Sequence, residues 1–305
     1  MSICIVGGGF IGSSHAVKLA KKNKVYLLSK KQINLKLKDV SILKSNYSKK
    51  FFLNFFKNQK IKKIFYCSGV PHPSFCEKYG KNIYNIETKV LKNLFESLKE
   101  INFQGNFFLL STCSVYGYNK KLANEKHKLN GKTLYSITKI LSEKIAIFYS
   151  KISKIKLTII RISSVYGFGL KRQVIYDTFN KFFKSNKNIY VTGSGHESRD
   201  FIYISDLIDG INVISNYESS KTKKTHSIYN LGSGKITSVK NIIKRIKFLT
   251  KSKAKINYIK KNISHNYFSI HPDISKLKKI NFKPRYSIES GLKNMYLKLN
   301  SSSVR

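Results

Sequence analysis

The sequence predicts an α/β fold, a doubly wound parallel sheet with a smaller C-terminal α/β domain, from three observations. Short apolar runs such as ICIV, VYLL and KIFYCS alternate with longer amphipathic stretches. The runs lack polar alternation, as expected of strands covered on both faces. A glycine-rich turn, IVGGGFIGSS, joins the first run to the first helical pattern, the strand-turn-helix order with which such sheets begin.

Taken in order, ICIV leads through the glycines into a helix from about Ile11 to Lys22, and VYLL forms the next strand. A helix around FFLNFFKNQK, the strand KIFYCS, a long helix through NIETKVLKNLFESLKEI and the strand FFLLST follow. The helix carrying TLYSITKILSEK and the strand KLTIIRIS complete a first domain, residues 1–165. Beyond Tyr166 the pattern loosens into a helix (QVIYDTFNKFFKS), a turn (TGSGHES), a strand (DFIYI), a helix, YNLGSG and a further helix. INFKPRYSIESGLKNMYLKL is a proline-bearing loop leading into a terminal helix, with NSSSVR frayed at the end. Residues 166–305 are read mainly as a substrate domain closing over a cleft, with a segment near 202–230 returning to the first sheet.

Composition narrows the function classes. The chain of 305 residues is 41% hydrophobic, and no apolar run approaches the roughly 18 residues of a membrane span, so no membrane insertion is expected. MSICIV runs straight into the glycine-rich turn, so no export signal is expected. Cys4, Cys67, Cys76 and Cys113 are scattered among apolar residues, the pattern of buried thiols in a reducing, cytoplasmic compartment. The seven histidines lack ligand spacing, so no metal is expected. Net charge is +43, yet only six of the 58 basic residues are arginine, leaving 52 lysines spread along the whole chain. Base readers rely on arginine forks and form a concentrated basic face, so the charge is read as compositional bias and no nucleic acid is expected. It can still attract an anionic substrate.

Three motifs carry chemistry. Gly7, Gly9 and Gly12 stand in GxGxxG spacing, which lets the amides that open the helix, including those of Phe10 and Ile11, approach a pyrophosphate. At the end of the second strand Ser29 and Lys30 occupy the place of the usual ribose-binding acid, which leaves NAD and NADP both open. Tyr135 and Lys139 lie four residues apart, hence on one helix face. An ammonium about 5 Å from a phenol, at an effective dielectric near 20, is worth about 3 kcal/mol or roughly two pKa units. A bound oxidised nicotinamide adds further positive charge, so the pair can make a base working near neutrality. Ser111 and Thr112 end the preceding strand, on the edge where open α/β sheets bind ligands.

With these motifs the chain resembles the extended short-chain dehydrogenase/reductase superfamily, in its NAD-dependent nucleotide-sugar epimerase/dehydratase branch. The likeness runs through IFYCSG, Asn85, STCSVYG, YSITK, RISSVYGFG, GSGHESRDFIYISDL, YNLGSG and FKPRYSIESGL. It implies a Rossmann-type fold, with Tyr135 as acid/base, Lys139 as its partner and ribose ligand, and Thr112 orienting the sugar hydroxyl. Gly7, Gly9, Phe10, Ile11 and Gly12 would hold the pyrophosphate, with Ser29, Lys30, Asn46, Cys67, Ser68 and Gly69 along the rest of the cofactor. Ser111, Thr112, Ser164 and Arg199 would meet the nucleotide sugar, Arg199 at its diphosphate. Arg161 is read as structural, and Asp206 as orienting the helix that follows it.

The chain departs from the branch in its GxxGxxG turn, where Val6 stands in place of the first glycine or one turn residue is missing, at Asn46 for an adenine-contacting Asp, and at Ser164 and Phe168 for Asn and Pro. Dehydratases of the branch carry Asp-Glu after the threonine; Cys113 and Ser114 here disfavour dehydration. Relatives that epimerise at C3 and C5 carry a cysteine where Ser114 stands, which disfavours that chemistry too. The expected activity is a nucleotide-sugar 4-epimerase with NAD or NADP. The alternatives are an NADPH-dependent ketosugar reductase, then a 4,6-dehydratase, then a non-catalytic dinucleotide-binding protein. The resemblance also implies a homodimer through the Tyr135 helix and a place in polysaccharide synthesis.

Overall fold

The computed structural model describes residues 1–33, 38–70, 73–80, 82–119, 121–185, 187–221, 226–259 and 269–303. Its contacts divide the chain into two compact units, one of residues 1–115, 131–161 and 211–229, the other of residues 116–130, 162–210 and 230–305. The return to the first unit therefore spans 211–229, and residues 116–130, expected in the first domain, group with the second.

The first unit is built on a seven-stranded parallel sheet. Its strands are β1 (Ser2–Val6), β2 (Lys24–Ser29), β3 (Val40–Lys44), β4 (Ile61–Tyr66), β5 (Asn106–Thr112), β6 (Lys156–Ile162) and β10 (Ser227–Leu231), in the order β10-β6-β5-β4-β1-β2-β3. Chain order reverses between β1 and β4, which pair from Ser2 with Ile61 to Val6 with Tyr66. The carboxyl ends of those two strands form the switch point at which such sheets bind ligands. Helices α1 (Phe10–Leu19), α2 (Lys49–Asn58), α3 (Pro73–Tyr79), α4 (Asn82–Glu100) and α5 (Leu134–Ile152) belong to the same unit. The core joining α2 and α4 to the sheet is aromatic: Phe55 meets Phe56 edge-on at 4.9 Å, and Phe95 meets Phe107 at 4.5 Å. Each such ring buries enough apolar surface to be worth roughly 1.5–3 kcal/mol.

The second unit contains strands β7 (Ser164–Tyr166), β9 (Ser198–Tyr203) and β11 (Ile236–Ser238) in one small sheet, and β8 (Asn188–Thr192) paired with β12 (Lys255–Ile259) in another. Helices α6 (Gln173–Lys184), α8 (Val239–Leu249), the short α9 (Ser275–Lys278) and α10 (Ile288–Ser303) accompany them. Helix α7 (Ile204–Ser220) follows β9 directly and carries the chain back to the first unit. Phe179, Phe201, Ile243 and Leu292 share the core of this unit. Among the described residues no helix is long and apolar enough to cross a membrane.

One buried polar contact gives the first unit a pH-dependent stability. His15 of α1 is fully buried, edge-on to Phe65 at 4.5 Å, with Nε2 2.9 Å from the Asn212 Oδ1. An Nε2–H donating to Asn212 leaves Nδ1 as a bare acceptor without a partner among the described residues. Burial lowers the His15 pKa to about 4, with the Asn212 bond opposing. The unfolded chain therefore takes up a proton that the fold refuses as pH falls from its ordinary 6.5 toward 4. Stability is complete above that window and declines through it, by about 3 kcal/mol at most. His15→Gln keeps an N–H donor and cannot ionise; between pH 7 and pH 4 it is expected to lose about 2–3 kcal/mol less than the parent in urea unfolding.

Candidate active site

The site begins where β1 and β4 end. Gly7 has φ +112° and lies so close to Ser68 that a methyl group would overlap the Ser68 backbone, and a methyl on Gly12 would overlap the Gly7 carbonyl. Only hydrogen fits at these two positions, which draws α1 tightly onto the turn. Gly9 differs: it is the N-cap of α1, makes no side-chain cap, and a Cβ built on it meets nothing within 4 Å. The first-turn amides of Phe10, Ile11 and Gly12 thus head a helix under open space, the arrangement that receives a pyrophosphate. This cradle fits a dinucleotide.

The adenosine side is less committed. Ser29 is buried and its Oγ accepts from the Lys31 amide at 3.2 Å. Lys30 is exposed, its Nζ 5.5 Å from the centre of the Tyr47 ring. Asn46 is exposed and its Oδ1 accepts from the Ser48 amide at 3.0 Å, ahead of α2. Cys67 and Ser68 are half-buried at the end of β4, where the Cys67 amide donates to the Val6 carbonyl at 2.8 Å. Burial pushes the Cys67 thiol up to about 12, so it stays protonated. All four cysteines are free thiols.

Helix α5 starts with a capping box. Thr133 Oγ1 accepts from the Ser136 amide at 3.1 Å, and Ser136 Oγ accepts from the Thr133 amide at 3.0 Å. This fixes the helix two residues before Tyr135, so Tyr135 lies in the first turn and Lys139 one turn further. Thr112, at the end of β5, faces the phenol and favours its ionised form. Ser111 does not join them: it is buried, and its hydroxyl donates to Glu143 Oε1 at 2.5 Å. Adjacent strand residues point to opposite faces, so only one of the two expected hydroxyls reaches Tyr135. Glu143 in turn accepts from Arg161 at 3.0 and 2.7 Å, a buried fork in which Arg161 is structural. Cys113 also turns inward, its thiol donating to the Arg161 carbonyl at 3.2 Å.

Sequence reasoning missed Glu87 of α4. Its Oε1 accepts from Lys139 Nζ at 2.6 Å and from the Ser142 hydroxyl at 3.3 Å, and its Oε2 from the Val70 amide at 2.5 Å. Gly69, φ +133°, roofs this pair: a Cβ would stand 2.5 Å from Glu87 Oε2 and 2.7 Å from Lys139 Nζ. A signal was available, because Glu87 interrupts the apolar stripe of α4 between Ile83 and Leu91. Burial raises the Tyr135 phenol above its ordinary value and Glu87 adds to this, against the lowering by Lys139 and Thr112. Burial works most strongly against the Lys139 ammonium, but the charge and hydrogen bond of Glu87 together with the Tyr135 phenol raise its pKa and hold the lysine charged. The protein's own groups thus leave the phenol above its ordinary value, and the base near neutrality expected of Lys139 together with an oxidised nicotinamide needs that cofactor's charge.

In the second unit, half-buried Ser164 opens β7, paired with Phe201, and half-buried Arg199 lies in β9, paired with Thr237. Neighbouring Asp200 is buried and accepts from the Ser233 and Gly234 amides, each at 2.7 Å. Asp206, expected to orient α7, accepts from the Arg285 and Tyr286 amides at 3.1 and 2.8 Å and so anchors the loop before α10.

The family model of the NAD dependent epimerase/dehydratase family matches residues 3–232. A Bacillus subtilis protein named as an uncharacterized UDP-glucose epimerase is 28% identical over 99% of this chain and 98% of its own. UDP-glucuronate 4-epimerase 4 of Arabidopsis thaliana is 31% identical over 66% of this chain and 49% of its own, so the matched region is about half of that enzyme. The UDP-glucose 4-epimerase of Thermotoga maritima, solved with UDP-glucose, has a TM-score of 0.88 at 20% identity, over 99% of this chain and 100% of that one. The UDP-glucuronic acid 4-epimerase of Bacillus cereus, solved with UDP-glucuronic acid and NAD, gives 0.86 at 22%, over 99% and 100%. At these identities the structural likeness is one of fold.

Because a methyl group on Gly9 meets nothing in the protein, Gly9→Ala is expected to leave the melting temperature within about 1 °C while weakening NAD binding about tenfold or more by calorimetry.

Proposed function

The chain belongs to the NAD-dependent epimerase/dehydratase family, and on that premise we propose that it is a nucleotide-sugar 4-epimerase working with NAD on a UDP-hexose. The observation that carries this reading is the grouping of Tyr135, Lys139 and Thr112 beside the glycine cradle, without an acid–base pair following Thr112. Elimination of water needs such a pair, and here Cys113 is turned into the core while the Ser114 hydroxyl accepts from Thr112 Oγ1 at 3.2 Å. UDP-sugars are supported as the substrate class by the names of the bacterial and plant relatives.

In this reading the Thr112 hydroxyl orients the sugar C4 hydroxyl toward Tyr135. The ionised phenol takes the C4 hydroxyl proton, holds it while C4 is oxidised, and returns it when C4 is reduced from the opposite face. NAD, when bound, supplies the acceptor for the C4 hydride, gives it back, and adds the positive charge that favours the ionised phenol. Lys139 stabilises that anion from one turn along α5. Arg199 is assigned to the diphosphate, supported by its being one of only six arginines in a chain dominated by lysine, and Ser164 to the sugar side. A homodimer through α4 and α5 is part of the proposal, supported by exposed Phe148 and Ile152 on α5 and Ile86 on α4.

The test is incubation with UDP-glucose, UDP-N-acetylglucosamine and UDP-glucuronate without added cofactor. Interconversion of C4 epimers is expected, with kcat lowered about 10³-fold in Tyr135→Phe. Because the phenol must ionise to act and its pKa is raised above the ordinary 10, kcat/KM is expected to keep climbing with pH through the alkaline range, without a plateau near neutrality. Turnover of a 4-ketosugar that consumes NADPH would assign a reductase instead, and failure to bind any dinucleotide would exclude both activities.

A further inference from the structure

Glu87 is a buried charge that the proposed chemistry does not use. It touches three elements at once: α5 through Lys139 and Ser142, the turn after β4 through the Val70 amide, and its own helix α4. Lys139 is 8% exposed and Glu87 1%, so the two charges answer each other away from water. We infer that Glu87 is a positioning residue for the Tyr135–Lys139 pair, fixing the Lys139 ammonium against the Gly69–Val70 turn and limiting how much of its charge reaches the phenol. This rests on the assignment of Tyr135 as the acid/base.

The geometry leaves the lysine little freedom. Its ammonium is held by a bond of 2.6 Å beneath Gly69, where even a methyl group would crowd it. An ammonium so deeply buried is driven toward neutrality unless a carboxylate accompanies it. Once accompanied, it acts on its neighbours as half of a dipole rather than as a full charge. Among the described residues, Tyr66 of β4, kept neutral by burial, interacts with Glu87, and Cys76 of α3 interacts with Lys139 and the phenol. Glu87 supplies the negative charge that sets the balance, and the ionisation of Tyr135 is tuned from α4, a helix that does not carry Tyr135.

The experiment is a ¹⁹F NMR titration of the full-length protein carrying 3-fluorotyrosine at position 135. It reads phenol ionisation without turnover, so a failure of the epimerase reading would appear separately in the activity assay. Glu87→Gln removes the charge and keeps one acceptor oxygen, enough for Lys139 or for the Val70 amide but not for both. With Glu87 neutral, the Tyr135 phenolate is the anion left to accompany the buried ammonium, so the ionisation midpoint is expected to fall by about one pH unit, and the acidic limb of kcat/KM to move with it. Glu87→Asp keeps the charge on a shorter arm, so its midpoint is expected to stay within about 0.3 unit although kcat falls. An unchanged midpoint in Glu87→Gln overturns the inference, since a merely structural role would lower activity without moving it. If Glu87→Gln does not fold, the double variant with Lys139→Gln buries a neutral pair. It is expected to ionise about one unit below Lys139→Gln alone, and equal midpoints overturn the inference.

Discussion

One face of helix α5 buries two opposite charges a single turn apart, Lys139 and Glu143, and the first unit is organised around satisfying both. Spacing alone would let them pair along the helix. Instead each finds its partner on another element, Lys139 on Glu87 of α4 and Glu143 on Arg161 of β6. A buried ion pair adds little net stability, but removing one member leaves an uncompensated charge that costs several kcal/mol. The two pairs therefore act less as a source of stability than as a lock on register. Neither the rotation of α5 about its axis nor its height above the sheet can change without separating a buried charge from its partner.

Reactivity follows from that lock. Tyr135 lies in the first turn of the helix so fixed, and Thr112 ends the strand whose neighbouring residue, Ser111, bonds to the same Glu143 that holds Arg161. The alternation of β5 places Ser111 inward and Thr112 toward the phenol. The arrangement brings together one phenol and one hydroxyl, to which the proposed reaction gives the proton and the orienting contact, and Cys113 after Thr112 is drawn away by its bond to the core. A scaffold of this kind favours reversible removal and return of a proton at one oxygen over chemistry that needs separate acid and base groups.

Much of this was legible in the sequence because the signals were periodic or local. Apolar runs separated by amphipathic stretches specify the parallel sheet, the three glycines specify the cradle, and Tyr135 and Lys139 share a face by spacing alone. The missing pieces are long-range or short. Strand β3 is a five-residue edge strand without buried residues, and β8 and β12 form a two-stranded sheet whose alternation is too brief to stand out. Glu87 and Lys139 are 52 residues apart, and nothing local says that a glutamate in the α4 stripe belongs to the α5 lysine. Ser111 stands apart for the opposite reason: it is adjacent to Thr112 in sequence, and strand geometry turns its hydroxyl to Glu143.

The distribution of acids between interior and surface reaches beyond the site. Of fifteen acidic residues in the chain, Glu87, Glu143, Asp200, Asp206 and Glu218 are buried, whereas Lys63, Lys139 and Arg161 are the buried basic residues among those described. The solvent-facing shell is therefore even more one-sided than the formal charge of +43 conveys. Mutual repulsion across such a shell opposes the compact state and weakens as dissolved ions shorten its range to about 8 Å at physiological ionic strength. The interior pairs, sealed from those ions, are largely unaffected. Ionic strength thus acts on this fold from outside only, easing the repulsion of its lysine coat while leaving the charge balance around Tyr135 where the helices set it.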